Sequence, residues 1–471
     1  MRKYLAIILG LIFILSFASV ASAEPEITLG GKILIRGWYL DNVGNLTTKI
    51  GPPPFPPITI TTSNVPVDTE SQALYTTNVN ITFDAKVSDN VHGFIELETS
   101  GSGSRTSGLY YWGSNQDTKP DADFGIRQAW IQYTGSGLLG VPSGLKAGHM
   151  LITLGEKQFL NNERFGDDAI LLWVDPTKEL HLALGTAKLH EGKTALGSIT
   201  NTDDIDGYIL LGTYMIDKNN TIGANYTWIH SDGFLPSLSS TVPNIDKLNF
   251  HNIGVHANGN VVGLTYAAEA DVQFGTLEGL SGTDDRDFEG WAIMGKLGYT
   301  FDPLTIRASA AYGSGDDSPT SGDIKEFQTL QGPDEIGPLA RFVHYTQIYE
   351  RTLRTTTGIT PTGAAAGQVL TGTTRNTGIA NTTYYNLGID VSPVKELTLS
   401  LDGFLIYASE TKPGVDDNAG TELDFKGTYK IAKNLSYFVE AAGFWPGDYY
   451  KDTFGVDETV TQVVHGLLLT F

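Results

Sequence analysis

The sequence predicts an all-β fold, a transmembrane antiparallel β-barrel of eighteen strands with short periplasmic turns and long extracellular loops. Three observations predict it: segments in which apolar and polar residues alternate, an even number of such segments, and links that are short and long in turn. Successive side chains of a strand point to opposite faces, so an alternating segment has one apolar and one polar face. A closed barrel with its apolar face outward leaves no unpaired strand edge in lipid.

The composition excludes several other classes of protein. The chain has 471 residues, a formal charge of −22, no cysteine, and 21 Phe, 21 Tyr and 7 Trp residues. Beyond the first twenty residues no apolar run approaches the roughly 18 to 20 residues that a membrane-spanning helix needs. The aromatic content argues against disorder, and the acidic charge argues against nucleic acid as a partner. Without cysteine there is neither a disulfide framework nor a thiolate metal site.

Residues 1–23 are predicted to be a secretory signal peptide. Arg2 and Lys3 give a positive start, Leu5 to Phe17 an apolar stretch, and Ala21-Ser22-Ala23 a cleavage site of small residues. The alternative is a retained membrane anchor, for which the apolar stretch is short. We therefore expect residues 24–471 to form one exported barrel domain in the cell outer membrane.

The strands are predicted in order from the alternation. It is cleanest near residues 396–409 and 421–431, where leucines and aromatics alternate with Thr, Ser, Asp, Glu and Lys. A soluble sandwich gives the same local pattern, but most segments are about ten residues or longer, enough to cross a bilayer when tilted. The predicted strands are residues 26–40, 73–87, 91–100, 123–134, 145–154, 168–174, 179–190, 205–216, 221–230, 248–257, 261–274, 288–301, 304–313, 381–391, 396–409, 421–431, 434–445 and 459–471.

The links predict which rim faces which compartment. Short links rich in Pro, Gly, Asn and Asp, such as Ser88-Asp89-Asn90, Asn258-Gly259-Asn260 and Pro393-Val394-Lys395, are typical of tight turns. Long links fall between them, including 41–72, 101–122, 231–247 and 314–380, while 135–144 is one lengthened turn. Outer-membrane barrels have this asymmetry. The terminal Phe471 resembles the ending that such barrels present to the barrel-assembly machinery, an expected partner beside outer-membrane lipid and lipopolysaccharide.

The polar phase of the strands carries charges that we expect to face the lumen, because Arg or Lys facing lipid at mid-bilayer costs about 2 to 4 kcal/mol. The basic residues are Lys32, Arg36, Lys86, Lys146, Lys296, Arg307 and Lys426; the acidic ones are Asp84, Glu96, Glu98, Glu269, Asp271, Asp390, Asp402, Glu422, Asp424 and Glu440. An eighteen-stranded barrel is wide enough for water unless loops plug it. The pattern therefore predicts passage of hydrophilic solutes.

Two interpretations of these charges stay open. Lys32, Arg36, Lys296, Arg307 and Lys426 could form a basic, anion-attracting lining of the pore. The alternative is structural, since opposite charges on neighbouring strands stabilise a sheet modestly. Arg127 falls on the outward phase of its strand, so it requires a β-bulge or a local change of phase.

Five pairs of adjacent aspartates lie in or beside the predicted extracellular links. Their carboxylates could bind Ca²⁺ or Mg²⁺ or bridge to lipopolysaccharide through such ions; the alternative is a set of solvated loop charges, because no EF-hand spacing is present. No other cofactor is expected. The pairs are Asp167-Asp168, Asp203-Asp204, Asp284-Asp285, Asp316-Asp317 and Asp416-Asp417.

The link 314–380 is too long for a plain connection. Phe342, Tyr345, Tyr349 and Leu353 recur near helical spacing, and Arg341, Arg351 and Arg354 accompany them. A short helix folded into the barrel mouth would bring these guanidinium groups to the solute path. A mobile surface loop is the alternative.

Catalysis is not expected. The nine histidines are scattered, and neither an HExxH nor a GxSxG motif is present. His230 and Ser231 are adjacent, which places them on opposite faces of a strand.

Three segments resemble the alginate export porin family: residues 127–133 (RQAWIQY), 145–155 (LKAGHMLITLG) and, most specifically, 420–449 (GTELDFKGTYKIAKNLSYFVEAAGFWPGDY). The resemblance implies an eighteen-stranded outer-membrane channel, in some members one that conducts an anionic uronate polysaccharide through a basic pore. Three functions remain open. They are a porin for small hydrophilic solutes, an exporter of an anionic polysaccharide or importer of its sugar-like oligomers, and a surface-binding barrel with acidic, cation-binding loops.

Overall fold

The computed structural model describes residues 25–42, 71–101, 110–113, 122–137, 140–163, 166–190, 204–231, 245–279, 284–317, 322–331, 345–354, 378–454 and 457–471. The predicted signal peptide lies outside these residues.

The structure confirms the predicted barrel of eighteen strands, and each predicted segment coincides with one of them. In chain order they are β1 (Glu26–Asp41), β2 (Ser71–Lys86), β3 (Val91–Gly101), β4 (Ala122–Gly135), β5 (Ser143–Met150), β6 (Asp167–Val174), β7 (Leu180–His190), β8 (Ile205–Asp217), β9 (Asn220–Ser231), β10 (Ile245–Val261), β11 (Leu264–Gly279), β12 (Trp291–Phe301), β13 (Leu304–Gly313), β14 (Thr382–Val394), β15 (Leu397–Ala408), β16 (Asn418–Ala432), β17 (Leu435–Pro446) and β18 (Val460–Thr470).

Every strand pairs antiparallel with its neighbour in sequence, and the first strand pairs with the last. In the closing ladder Lys32 lies opposite Thr470 and Asp41 opposite Thr461. Closure gives each strand two partners, so the sheet presents no edge to lipid.

One predicted turn is wrong. Asn258-Gly259-Asn260 lies inside β10, where Gly259 pairs with Asn220 of β9 and with Tyr266 of β11. The chain reverses instead at Val262 and Gly263, both with positive φ (51° and 83°). This two-residue turn has the backbone twist that antiparallel strands favour, and Gly263 adopts it without steric cost.

The two faces of the wall differ as the alternation predicts. Along β14 the outward Tyr385, Leu387 and Ile389 are exposed, and Leu387 reaches 66%. Asn386 and Asp390, on the opposite face of the same strand, point inward and line the cavity. An apolar outer band and a polar lumen therefore follow from one sequence pattern.

Three segments of the links fold into the barrel, at residues 151–163, 322–331 and 345–354. Leu160–Asn161 and Leu330–Gln331 of the first two form a short parallel ladder. The third contains a π-helical turn, Tyr349–Arg354, and the helix α1 (Asp448–Phe454) precedes β18. None of the described helices is long and apolar enough to cross a membrane. These segments bury the apolar core inside the wall, where Phe159 stacks on Phe250.

Replacing Leu387 by Arg tests the assignment of the two faces. Leu387 lies near the middle of β14, so we expect a loss of about 2 to 4 kcal/mol in the free energy of unfolding in lipid vesicles. The matched control is Ser400→Arg on the inner face of β15, which should change this free energy much less. Urea titration followed by tryptophan fluorescence measures both, and an equal loss in the two variants would contradict the assignment.

Candidate functional site

A charged cavity of about 430 Å³ lies against the inner face of β12 to β17, beneath Tyr345 and Gln347 of the third inward segment. Seven charged side chains line it: Lys296, Arg307, Asp390, Asp402, Asp424, Lys426 and Glu440. All seven belong to the charges that the sequence predicts to face the lumen. The cavity thus combines three cations with four carboxylates.

Arg307 is held by two carboxylates. Its Nε and Nη2 donate to Asp390 (2.7 and 2.9 Å), and its Nη1 and Nη2 donate to Asp402 (2.9 and 2.8 Å). Gly388 separates Arg307 from Asp402 in the cross-strand row, and its lack of a side chain leaves room for the guanidinium. Two bidentate contacts fix the orientation of Arg307 and compensate its charge.

A second ion-pair group joins the wall to the inward segment. Glu440 of β17 pairs with Lys426 of β16 (3.1 Å) and with Arg351 of the π-helical turn (3.3 Å). Arg351 is buried, whereas 54% of the Lys426 side chain is exposed. Lys426 is therefore accessible to a solute, and Arg351 is a structural tie.

Two neighbouring carboxylates bind backbone N–H groups of the same segment. Glu422, fully buried, accepts hydrogen bonds from the backbone of Ile348 (2.6 Å) and Tyr349 (2.8 Å). Asp424 accepts one from the backbone of Gln347 (3.1 Å). Charge-assisted hydrogen bonds are stronger than neutral ones. This Glu-x-Asp pair therefore anchors the third inward segment to the barrel wall.

Aromatic contacts complete the anchor. Tyr345 stacks on Tyr384 of β14 with ring centroids 4.5 Å apart, and Tyr349 packs against Phe444 of β17 at 5.9 Å. The expected short helix inside the mouth is thus present as the turn 349–354, and Arg351 reaches Glu440. Arg341, Phe342 and the side chains of Leu353 and Arg354 lie outside the described residues.

A second Glu-x-Asp pair holds the first inward segment. Glu269 of β11 accepts hydrogen bonds from the backbone of Glu156 (2.6 Å) and Gln158 (3.3 Å). The side chain of Asn258 donates to Glu156 (2.7 Å). The segment that follows β5 therefore crosses the lumen to reach β10 and β11.

The five basic residues predicted to form one anion-attracting lining lie in two separate places on the inner wall. Lys296, Arg307 and Lys426 reach the cavity. Lys32 and Arg36 lie on the inner face of β1, where the Arg36 guanidinium lies 4.5 Å from the Trp38 ring centroid. The cations at the cavity alternate with carboxylates instead of forming a purely basic patch.

The remaining predicted pore residues lie elsewhere on the inner face. Lys146 lies over the Trp130 ring at 3.9 Å. Glu96 accepts hydrogen bonds from Asn80 (2.7 Å), Gln128 (2.6 Å) and Arg127 (2.7 Å). The ladder of β3 and β4 shifts register beside Arg127, which is the bulge that its inward orientation requires.

Most of the aspartate pairs contact their own chain. Asp168 pairs with His149 (2.9 Å) and Asp204 with Lys188 (3.2 Å). Asp285, Asp316 and Asp416 each accept a hydrogen bond from a backbone N–H. Asp203 lies outside the described residues. Within the described part of the chain, no group of three or more His, Cys, Asp or Glu residues is placed to hold a metal ion.

Sequence reasoning missed the inward segments 151–163 and 322–331. The predicted strand 145–154 ends at Met150, because the chain then leaves the wall. Within the inward segment Gly155 has a φ of 52°, which glycine adopts without steric cost in the turn that begins there. The contacts of residues 322–331, such as the Gln328 backbone donating to Gln273 (2.8 Å), follow no sequence period.

Comparisons with known proteins agree with the barrel. The alginate export family model matches residues 237–463, which confirms the predicted resemblance to the alginate export porin family over the second half of the barrel. No curated protein matches the sequence.

Solved structures show the same fold at low sequence identity. OccK9 (OpdG) of Pseudomonas aeruginosa is 12% identical with a TM-score of 0.53, covering 95% of this chain and 99% of that one. The outer membrane protein OpdK of the same species is 10% identical with a TM-score of 0.51, covering 94% and 99%. OccK2 (OpdF) of that species, solved in complex with glucuronate, is 11% identical with a TM-score of 0.50, covering 94% and 98%. The chain therefore has the fold of an outer-membrane, multi-pass β-barrel.

The anchor of the third inward segment can be tested by thiol labelling, since the chain has no cysteine. Thr346 is fully buried in that segment. We expect Thr346→Cys to react slowly with a water-soluble maleimide, and roughly tenfold or more faster when Glu422→Gln is added. A hydrogen bond to a charged group contributes about 1.5 to 3 kcal/mol to stability. Glu422→Gln replaces the charged acceptor of two such hydrogen bonds by a neutral amide. Glu396→Gln, in the turn before β15, is the control. Equal rates in all three proteins would contradict the anchor.

Proposed function

We propose that the protein is a diffusion channel for small hydrophilic solutes across the outer membrane. The observation that supports this proposal most directly is the cavity of about 430 Å³, which is lined by charges of both signs within a closed barrel. Polar side chains on the inner face make water stable there, whereas the apolar outer face suits lipid.

The inward segments favour small solutes over a bulky polymer. The segments at 151–163 and 345–354 are each bound to the wall through backbone N–H groups, so both occupy space within the lumen. The cavity volume falls within the roughly 300 to 1,000 Å³ typical of sites for small molecules. A solute the size of one or two sugar units fits that space.

The charged residues would act on a passing solute in different ways. Arg307 is fixed by Asp390 and Asp402, so these three side chains present a rigid group with a formal charge of −1. The exposed Lys426 can replace part of the hydration of a passing carboxylate or hydroxyl group. A channel conducts a solute only if such contacts are weak enough to release it and recur along its path. No covalent step is part of this proposal.

A sugar acid is the second candidate solute. Lys296 and Lys426 both reach the cavity, the matching family is described as alginate export, and the similar OpdF was solved with glucuronate. Anionic oligomers would then enter or leave through the same lumen. Lipid, lipopolysaccharide and the barrel-assembly machinery are the further partners that we propose for an outer-membrane barrel.

Reconstitution in planar bilayers tests the channel directly. We expect stepwise, ohmic conductance, because water fills a charged lumen at all voltages. Millimolar oligouronates should reduce this conductance if sugar acids bind, and Lys426→Gln should weaken the reduction. Neutral oligosaccharides of the same length are the control. A correctly folded barrel without conductance would contradict the channel, while conductance indifferent to oligouronates would exclude only the second candidate.

The balance of charges at the cavity predicts weak cation selectivity, since four carboxylates face three cations. Removing two carboxylates with Asp390→Asn and Asp402→Asn leaves Arg307 uncompensated. The reversal potential in a salt gradient should then shift toward anions, and Lys426→Gln should shift it toward cations. Asp168→Asn, on the outer face near the rim, is the control. Reversal potentials that stay the same in the cavity variants would show that the constriction lies elsewhere.

A further inference from the structure

The barrel wall is unusually short at β5 and β6. Each of these strands has 8 residues, whereas the flanking β4 and β7 have 14 and 11. A tilted strand needs about 9 to 11 residues to cross the hydrocarbon layer of a membrane. The chain leaves the wall after Met150 and rejoins it at Asp167, and the first inward segment lies between these residues. We call β5 and β6 the low wall.

The apolar outer band is thin on the low wall. On β6 it runs only from Ile170 to Val174, which are 45% and 40% exposed. These two residues are about 13 Å apart along the strand, whereas the apolar band of an outer-membrane barrel is about 25 Å tall. On β5 the outward apolar residues are Leu145 and Ala147. The low wall is therefore too short in apolar surface to match a full layer of lipid.

Polar side chains end this band, and they form one cross-strand row on the outer face. His149 of β5 lies opposite Asp168 of β6, Asp168 opposite Lys188 of β7, and Lys188 opposite Asp206 of β8. His149 Nδ1 lies 2.9 Å from Asp168 Oδ1, and Lys188 Nζ lies 2.6 Å from Asp206 Oδ1. The Asp168 side chain is 73% exposed. Basic and acidic groups thus alternate along the row.

The neighbouring strand β4 carries apolar surface beyond this polar row. Ala129 of β4 lies opposite His149. Further toward the extracellular end of β4, Ile126 and Phe124 point outward and are 64% and 51% exposed. A lipid layer that covers Phe124 and keeps its thickness around the barrel would also cover Asp168. Because a charge that faces hydrocarbon is destabilising, lipid of even thickness does not fit the low wall.

A wall with a short apolar band can be accommodated when the bilayer thins or when the protein oligomerises. Two features of the low wall favour oligomerisation. Ile131 of β4 lies between Gly93 of β3 and Ala147 of β5 in one row, and small residues let membrane proteins approach each other closely. The polar row is also complementary to itself, since a two-fold axis between His149 and Asp168 brings the basic group of one copy to the acidic group of the other.

We propose that the low wall is a contact surface for a second copy of this chain, which covers β5 and β6 in place of lipid. The second copy presents polar groups to the row from His149 to Asp206 and apolar groups to Ile170. The contact keeps the charges of the row out of hydrocarbon. It also places the link that carries the first inward segment at the centre of the assembly. The contact does not depend on which solute the lumen passes.

Spin labelling of the cysteine-free barrel in lipid vesicles tests the contact. Ala147→Cys places a label on the low wall. Ala310→Cys is the control, because Ala310 is an exposed alanine on β13, eight strands away in a barrel of eighteen. Labels at position 147 should give a defined distance between copies, since the low wall is nearest the symmetry axis. Labels at position 310 should be farther apart by more than the width of one barrel, or beyond the measurable range.

A second pair of variants tests whether the low wall holds the copies together. Ala147→Trp puts a bulky ring into the contact, so native mass spectrometry from mild detergent should show loss of the assembly to single chains. Ala310→Trp makes the same change on the far wall and should leave the assembly intact. Circular dichroism establishes that each variant has kept its barrel.

Three results would overturn the proposal. Single chains of the wild type in both vesicles and detergent would mean that the bilayer thins around the low wall instead. A distance at position 310 equal to or shorter than that at position 147 would place the contact on another wall. An intact assembly of folded Ala147→Trp, with the same stability as the wild-type assembly, would show that β5 is not part of the contact.

Discussion

The structure depends on one constraint, that backbone hydrogen-bonding groups within lipid must pair inside the protein. The ladder between β1 and β18 meets it by closing the sheet. Once the sheet is closed, each strand position has a fixed direction, outward to hydrocarbon or inward to the lumen. The polar residues of each strand must then face the lumen, so the charged interior follows from closure of the sheet.

Carboxylates on the inner wall determine what the lumen contains. Glu269 on β11 and Glu422 on β16 each bind backbone N–H groups of an inward segment. A segment without regular structure has such groups to satisfy, and a carboxylate satisfies two at once. The same acidity that gives the chain its charge of −22 therefore stabilises the constrictions. It also leaves the cavity close to electrical balance, because Arg307 and Lys426 lie among these acids.

Much of the fold could be predicted from the sequence because a strand in a barrel wall has a period of two that lipid enforces. The inward direction of Arg307 and Asp402 follows from that period alone. Their contact does not, because it depends on the register that aligns β13, β14 and β15 and on the missing side chain at Gly388. The inward segments could not be predicted from the sequence for a related reason. Their partners, such as Gln273 for residue 328, are set by three-dimensional proximity and not by spacing along the chain.

Cysteine scanning of β14 in the reconstituted barrel tests the central claim most directly, that alternate positions face water and hydrocarbon around a closed cylinder. Single cysteines at positions 385, 386, 387, 389 and 390 of the cysteine-free chain are treated with a membrane-impermeant thiol reagent. The account predicts reaction at positions 386 and 390, which face the lumen, and protection at 385, 387 and 389, which face lipid. Uniform reaction, or reaction at the odd positions, would contradict it.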